Sequence, residues 1–282
     1  MKSLARSLTG SIRSVAVLAL ATLSFSATTP AGADGETIRI SGSGAALATM
    51  QALGQEFKKS KPEVKITILP NLGSGGSIKA VLAGTLDIGI SARPLKPEER
   101  AKGGVAMLYA RTPLVFATAQ NNQASGLTAH QLADIYAGRT TAWPDGSPIR
   151  LVLRPSEDSD TTAMMKMSAE MQAAVTAAAS RKGLNIAMTD QEAADLLEKL
   201  PGALGSTTLA LIISEKRGLK PLPINGMAPA ANSGINKKYP YYKEYSLVTT
   251  ANPSPLAAQF IAFIRSVAGR AILINNGQLP IE

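Results

Sequence analysis

The chain has 282 residues, 29 basic against 20 acidic side chains, no cysteine and a single histidine. That composition excludes a disulfide framework, a thiolate nucleophile and a histidine-rich zinc centre. With aromatics at 4 % and the basic residues scattered, it carries no footprint of a nucleic-acid surface.

The first 33 residues read as a secretory signal peptide. Lys2, Arg6 and Arg13 make a positive start, residues 15–25 an apolar run too short to span a bilayer, and Ala31-Gly32-Ala33 a small-residue cleavage site. Without a cysteine there is no lipid anchor. The expectation is a soluble protein released into a bacterial periplasm. The remainder carries 26 basic and 20 acidic residues, a moderate excess that attracts anions.

From residue 37 onward, strand-like and helix-like segments alternate. "TIRI" at 37–40 predicts a strand, and Leu47, Met50, Leu53 and Phe57 predict a helix over 45–59. Strands are expected at 64–69 and 86–91, with a helix beginning at Ser77 between them. Residues 105–119 read as extended across Pro113, and 128–136 as a helix capped by Thr128. A strand at 149–153 leads into one long Ala- and Met-rich helix over 161–181. A short strand at 185–188 and a helix over 190–200 follow; 208–214 reads equally as buried strand or short helix. A strand at 244–250 and a helix over 255–267 close the chain. This order predicts two α/β units with mostly parallel sheets. Ligands of such sheets sit beyond the carboxyl ends of the strands, where the turns 41–46, 73–77 and 154–161 fall.

The first two turns, "SGSGAA" and "GSGGS", join a strand to a helix through small residues. Backbone N–H groups at a helix start, with serine hydroxyls beside them, suit an oxyanion. The third, "RPSEDSDT", sets an arginine beside acids and hydroxyls. Enzyme motifs are missing: "GSGAAL" departs from the dinucleotide fingerprint at Leu47, no Walker lysine follows either glycine-rich turn, and His130 lies inside an ordinary helical pattern.

"ISGSGAAL", "NLGSGGSIKAVLAGTLDIGISARPL", "HQLADIYAGRTTAWPDGSPIRLVLRPSEDSDT", "LPGALG" and the segment from "YSLVTT" to the C-terminus, in that order, resemble the periplasmic phosphate-binding proteins of ABC transporters. The resemblance implies a two-lobed α/β fold, each lobe a mostly parallel sheet flanked by helices, joined by a two-segment hinge. The lobes would be 34–112 with 243–282, and 113–242. It implies a non-enzymatic, cofactor-free monomer that binds inorganic phosphate or a similar oxyanion and meets a permease in the inner membrane. Site residues carried over are Ser74 and Gly75 after the second strand, Arg154, and the helix-start residues Ser159 and Thr161. Gly44 and Ala45 would offer backbone N–H groups only, since Ala46 and Leu47 stand where the family has a threonine and an aromatic residue.

Two departures concern the ligand. The family's phosphate-accepting aspartate falls at Ala92, with Arg93 beside it, and the family's Ser-Gly-Thr reads Ser159-Asp160-Thr161. The expectation here is that Asp160 takes over as the acid facing the ligand. The residues leave two other readings open: an anion-sensing or interaction protein of the same fold, and a secreted phosphoesterase using Ser159 or Thr161.

Overall fold

Strand β4 (Gly104–Ala119) organises the molecule, because its two halves pair with different partners. We describe a computed structural model of residues 37–231 and 234–281; the signal peptide expected over 1–33 lies outside the described residues. Ahead of β4 come β1 (Thr37–Gly42), α1 (Gly44–Ser60), β2 (Lys65–Ile68), α2 (Gly73–Leu82), β3 (Ile88–Ser91) and α3 (Pro97–Ala101). After it come α4 (Ala129–Ala137), β5 (Arg150–Leu153), α5 (Ser159–Met165), α6 (Ala169–Ser180), β6 (Asn185–Ile186), α7 (Asp190–Lys199), β7 (Ala203–Thr208) and α8 (Leu209–Ser214). The chain continues through β8 (Leu219–Pro221), β9 (Ala230–Ala231), β10 (Gly234–Ile235), β11 (Tyr242–Thr250), α9 (Pro255–Arg265), α10 (Val267–Asn275) and β12 (Leu279–Pro280).

The strand order is β2-β1-β3-β11-β4-β7-β5-β6. β1 is parallel to β2 and β3, and β5 is parallel to β6 and β7. Between these groups run β11 and β4, antiparallel to each other and to their neighbours. Residues Gly104 to Pro113 of β4 pair with β11; from Leu114 onward the partners are β7 and β8. Pro113 sits at this change, where a missing N–H costs least. The result is the mixed α/β architecture expected, with helices on the faces of the sheet.

Each helix is placed by its apolar stripe. α1 buries Met50, Leu53 and Phe57 at three-to-four spacing against β1 and α9. Each such side chain stabilises by about 1.5–3 kcal/mol when fully buried. On the other faces, α4 and α6 bury Leu132, Tyr136, Met171 and Val175, and α2 buries Ile78 and Val81.

Four expectations are corrected. α2 begins at Gly73, so the glycine-rich turn is itself the first helical turn: Gly73 takes a φ of 65°, and its N–H donates to Asn71 Oδ1 at 2.7 Å. The long helix over 161–181 is two, because the Ser168 hydroxyl accepts from Met171 N–H and starts α6 afresh. The final helix divides in the same way at Ser266, which caps α10. Residues 203–208 form a strand that small residues concealed, and Thr208 then caps α8, which settles 208–214 as mainly helix.

Candidate functional site

Two helices open towards the carboxyl ends of the parallel strands without a cap. At α1 the N-cap Ser43 makes no side-chain cap bond, and the first turn holds no acid. The same is true of α2, whose N-cap is Leu72. Apart from the Gly73 N–H, which Asn71 holds, no side-chain bond closes these starts, so N–H groups and the positive ends of both helix dipoles point out of them. Asn71 ties them together and to α7. Its Nδ2 donates to Asp190 Oδ2 at 3.4 Å and to Gln191 Oε1 at 3.2 Å, and Gln191 Nε2 donates to the Gly44 carbonyl at 3.1 Å. The approach is close: a Cβ on Gly44 would displace the Asn71 amide and stand 2.5 Å from Gln191 Oε1 and 2.8 Å from Asp190 Oδ2. Ala45 follows it, buried in the first turn.

At α2, Ser74 Oγ accepts from Ala92 N–H at 2.8 Å, joining the helix start to the end of β3. Arg93 runs alongside, its Nη2 3.8 Å from where a Cβ on Gly75 would stand. It is fixed by Glu99 through two hydrogen bonds of 2.7 and 2.8 Å. Those bonds hold the Glu99 carboxyl down at about 2.

Arg154 leaves the end of β5 with its side chain only 3 % exposed. Nη1 donates to the Ala187 carbonyl at 2.7 Å and Nη2 to Asp158 Oδ2 at 2.8 Å; Asp190 Oδ1 is 4.0 Å away. The third donor, Nε, is buried and has no hydrogen-bond partner. Burial alone would lower the pKa of this guanidinium, but the carboxylates of Asp190, Asp158 and Asp160 outweigh it and raise it. Asp158 caps α5 by accepting from Asp160 N–H at 2.8 Å. Burial and the neighbouring Asp160 push its carboxyl up, against the pull of Lys243 and Arg154. Thr161 is buried and donates its hydroxyl to the Arg154 carbonyl at 3.3 Å. Ser159 is half-buried and faces a cleft cavity of about 560 Å³, also lined by Ala92, Arg93 and Lys243.

Asn71 thus connects Gly44 to Gly73, the residue before Ser74 and Gly75, and Asp190 lies between Gly44 and Arg154, with Ser159 and Thr161 on the helix that Asp158 caps. Asp160 differs from expectation. Its carboxylate, 1 % exposed, accepts from Lys243 Nζ, itself 2 % exposed on β11. Burial lowers the pKa of that ammonium, and Asp160 and Asp190 more than reverse this, leaving it well above the usual lysine value. Asp160 is therefore engaged through Oδ1 in a buried ion pair, a partner the sequence did not suggest. Asn71, Asp190, Gln191 and Lys243 were not singled out in the sequence. Asn71 stands two residues before the glycine-rich turn and Asp190 opens a Thr-capped helix, which are faint signals; a lone lysine on a strand gives none. His130 stands exposed on α4, its Nδ1 2.7 Å from Glu170 Oε1.

Two groups of parallel strands bridged by antiparallel crossing strands, with uncapped helix starts and a buried arginine at the strand ends, define a two-lobed binding-protein fold. The family model described as the PBP superfamily domain matches residues 27–267, and the chain belongs to this family. Among curated relatives, it is 35 % identical over 106 residues to phosphate-binding protein PstS 2 of Streptococcus pneumoniae, covering 38 % of this chain and 36 % of that protein. The chain thus spans about a third of the length of the first curated relatives it matches. Phosphate-binding protein PstS of Bacillus subtilis is 22 % identical over 257 residues, 87 % of this chain and 81 % of that one. The fold matches a putative phosphate ABC transporter substrate-binding protein with bound phosphate from Clostridium perfringens. There the TM-score is 0.74 at 24 % identity, covering 88 % of this chain and 100 % of that one. An ABC-type phosphate transport receptor from Vibrio cholerae gives 0.60 at 19 % identity, covering 86 % and 99 %.

Proposed function

We propose that this chain is a non-catalytic periplasmic solute-binding protein. It captures phosphate or a related tetrahedral oxyanion and presents it, as a monomer, to an ABC-transporter permease. The observation that carries this reading is the Nε of Arg154, a buried charged donor without a partner, on a guanidinium that Asp190 links to Asn71 between the starts of α1 and α2. An unsatisfied buried donor costs about 1–3 kcal/mol, and more when charged; an oxyanion would remove that cost and take the free N–H groups as well. Bonds from Gly44, Ala45, Ser74, Gly75, Arg154, Ser159 and Thr161 would hold it. The relatives named as phosphate-binding proteins support the choice of anion.

The local charge favours an oxyanion that still carries a proton. Arg154 and Lys243 face three carboxylates, Asp158, Asp160 and Asp190. Asp190 has the least engaged of these, with one long hydrogen bond and a distant arginine. Phosphate retains a proton near neutrality, whereas sulfate retains none.

We place the lobes at 34–112 with 243–282, and at 113–242, because the partners of β4 change at Leu114. Closure about β4 and β11 would bury the ligand. A thermal-shift screen of sodium salts tests the binding function: phosphate at a hundred times its dissociation constant should add about 2.7 kcal/mol. No shift with any tetrahedral oxyanion would refute it.

A further inference from the structure

The cavity beside the anion site is larger than an inorganic oxyanion needs. Its volume, about 560 Å³, falls in the range of pockets for small organic ligands, roughly 300–1,000 Å³. It adjoins the anion site at two residues: Ser159, the first residue of α5, and Ala92, whose N–H bonds Ser74. At that shared wall Ala92 presents a methyl group, so no carboxylate blocks the passage from helix starts to cavity.

The charges lining the cavity fall into two sets. Arg93 and Lys243 are already neutralised by Glu99 and Asp160. Arg100 of α3 and Lys166 at the C-cap of α5 also line it, and among the described residues neither side chain has an ion-pair or hydrogen-bond partner. The lining holds one carboxylate, Glu244, against these four cations. Half-buried Tyr241 adds a flat apolar surface between the charged groups. An inorganic ion seated at Arg154 would leave Arg100, Lys166 and Tyr241 unused.

We propose that the cleft takes a small phosphate monoester bearing a second anionic group. This rests on the anion-binding reading above and names its substrate class. The phosphoryl oxygens lie at the helix starts and Arg154. The ester oxygen points past Ala92 and Ser159, the carbon body lies along Tyr241, and the second anion is held by Arg100 and Lys166. Ordinary charge-assisted bonds at that second end set the preference over inorganic phosphate.

Isothermal titration of the purified protein with inorganic phosphate, glycerol 3-phosphate and 3-phosphoglycerate tests this. The expected order places 3-phosphoglycerate roughly tenfold or more tighter than phosphate, with glycerol 3-phosphate between, all competing for one site. The Arg100→Glu, Lys166→Glu double variant, altered only at exposed positions, should bring the ratio of 3-phosphoglycerate to phosphate affinity to about one or below. If phosphate binds and 3-phosphoglycerate binds no tighter, the monoester proposal fails while the anion reading stands. A tenfold preference that survives the double variant also overturns it. If none of the three binds, the anion reading fails too.

Discussion

The helix starts of this molecule include two contrasting sets, with α3 and α5 apart from both because the carboxylates of Glu99 and Asp158 close them. Away from the cleft, α4, α6, α8, α9 and α10 each begin on a serine or threonine whose hydroxyl accepts a backbone N–H: Thr128, Ser168, Thr208, Ser254 and Ser266. At the cleft, the N-caps of α1 and α2, Ser43 and Leu72, make no such bond. The first set is closed and serves stability. The second leaves donors open, a cost that only a ligand offsets. α7 belongs to both: Thr189 caps it, yet its next residues, Asp190 and Gln191, reach the start of α1.

The largest effect that would sharpen this contrast is at Arg154. Arg154→Ala removes charge-assisted bonds of roughly 1.5–3 kcal/mol each, so anion affinity should fall about a hundredfold or more by calorimetry. Unchanged affinity would mean the open helix starts do not act with this arginine. Next is Asp190→Asn, which takes one carboxylate from a cluster of three. Sulfate affinity should rise roughly tenfold and the preference for phosphate should narrow, since a repulsive element has been removed. A preference that stays constant would assign selectivity elsewhere.

At a closed start the prediction reverses. Ser254→Ala should cost about 1 kcal/mol of stability in a urea melt while anion affinity is unchanged. A loss of affinity there would break the contrast outright. The smallest effect concerns Glu99, which positions Arg93. Its folded pKa, about 2, lies below the free value of 4.5. The pair therefore stabilises fully above about pH 4.5, and its contribution disappears as pH falls towards about 2. The stability difference between the parent and Glu99→Gln should shrink across that window, by the few tenths to 1 kcal/mol of a partly exposed ion pair. A difference independent of pH would mean that Glu99 does not hold Arg93 through its charge.

Much of the fold was legible in the chain. Periodic apolar residues such as Met50, Leu53 and Phe57 exposed α1, and alternating strand and helix patterns gave the α/β order. Boundaries set by single side-chain bonds were not legible: Ser168 and Ser266 each divide a continuous apolar pattern by capping, and Asn71 turns a glycine-rich loop into helix. In the site, motifs pointed to Ser74, Arg154, Ser159 and Thr161 because strand ends and helix starts are local features. The ion pair of Asp160 was not legible because its partner, a buried lysine 83 residues away in sequence, is a tertiary fact. Asp190 and Gln191 were missed for the same reason, since their importance lies in meeting Gly44 from another part of the chain.

An oxyanion should complete Arg154 and the open starts of α1 and α2. The most direct measurement is anomalous diffraction from crystals grown with arsenate, a tetrahedral surrogate for phosphate. One strong peak is expected, with an oxygen about 2.7–3.2 Å from Arg154 Nε and others at similar distance from N–H groups at the two starts. A fully occupied peak elsewhere on the molecule, or an Arg154 Nε still unpaired at saturating arsenate, would contradict it.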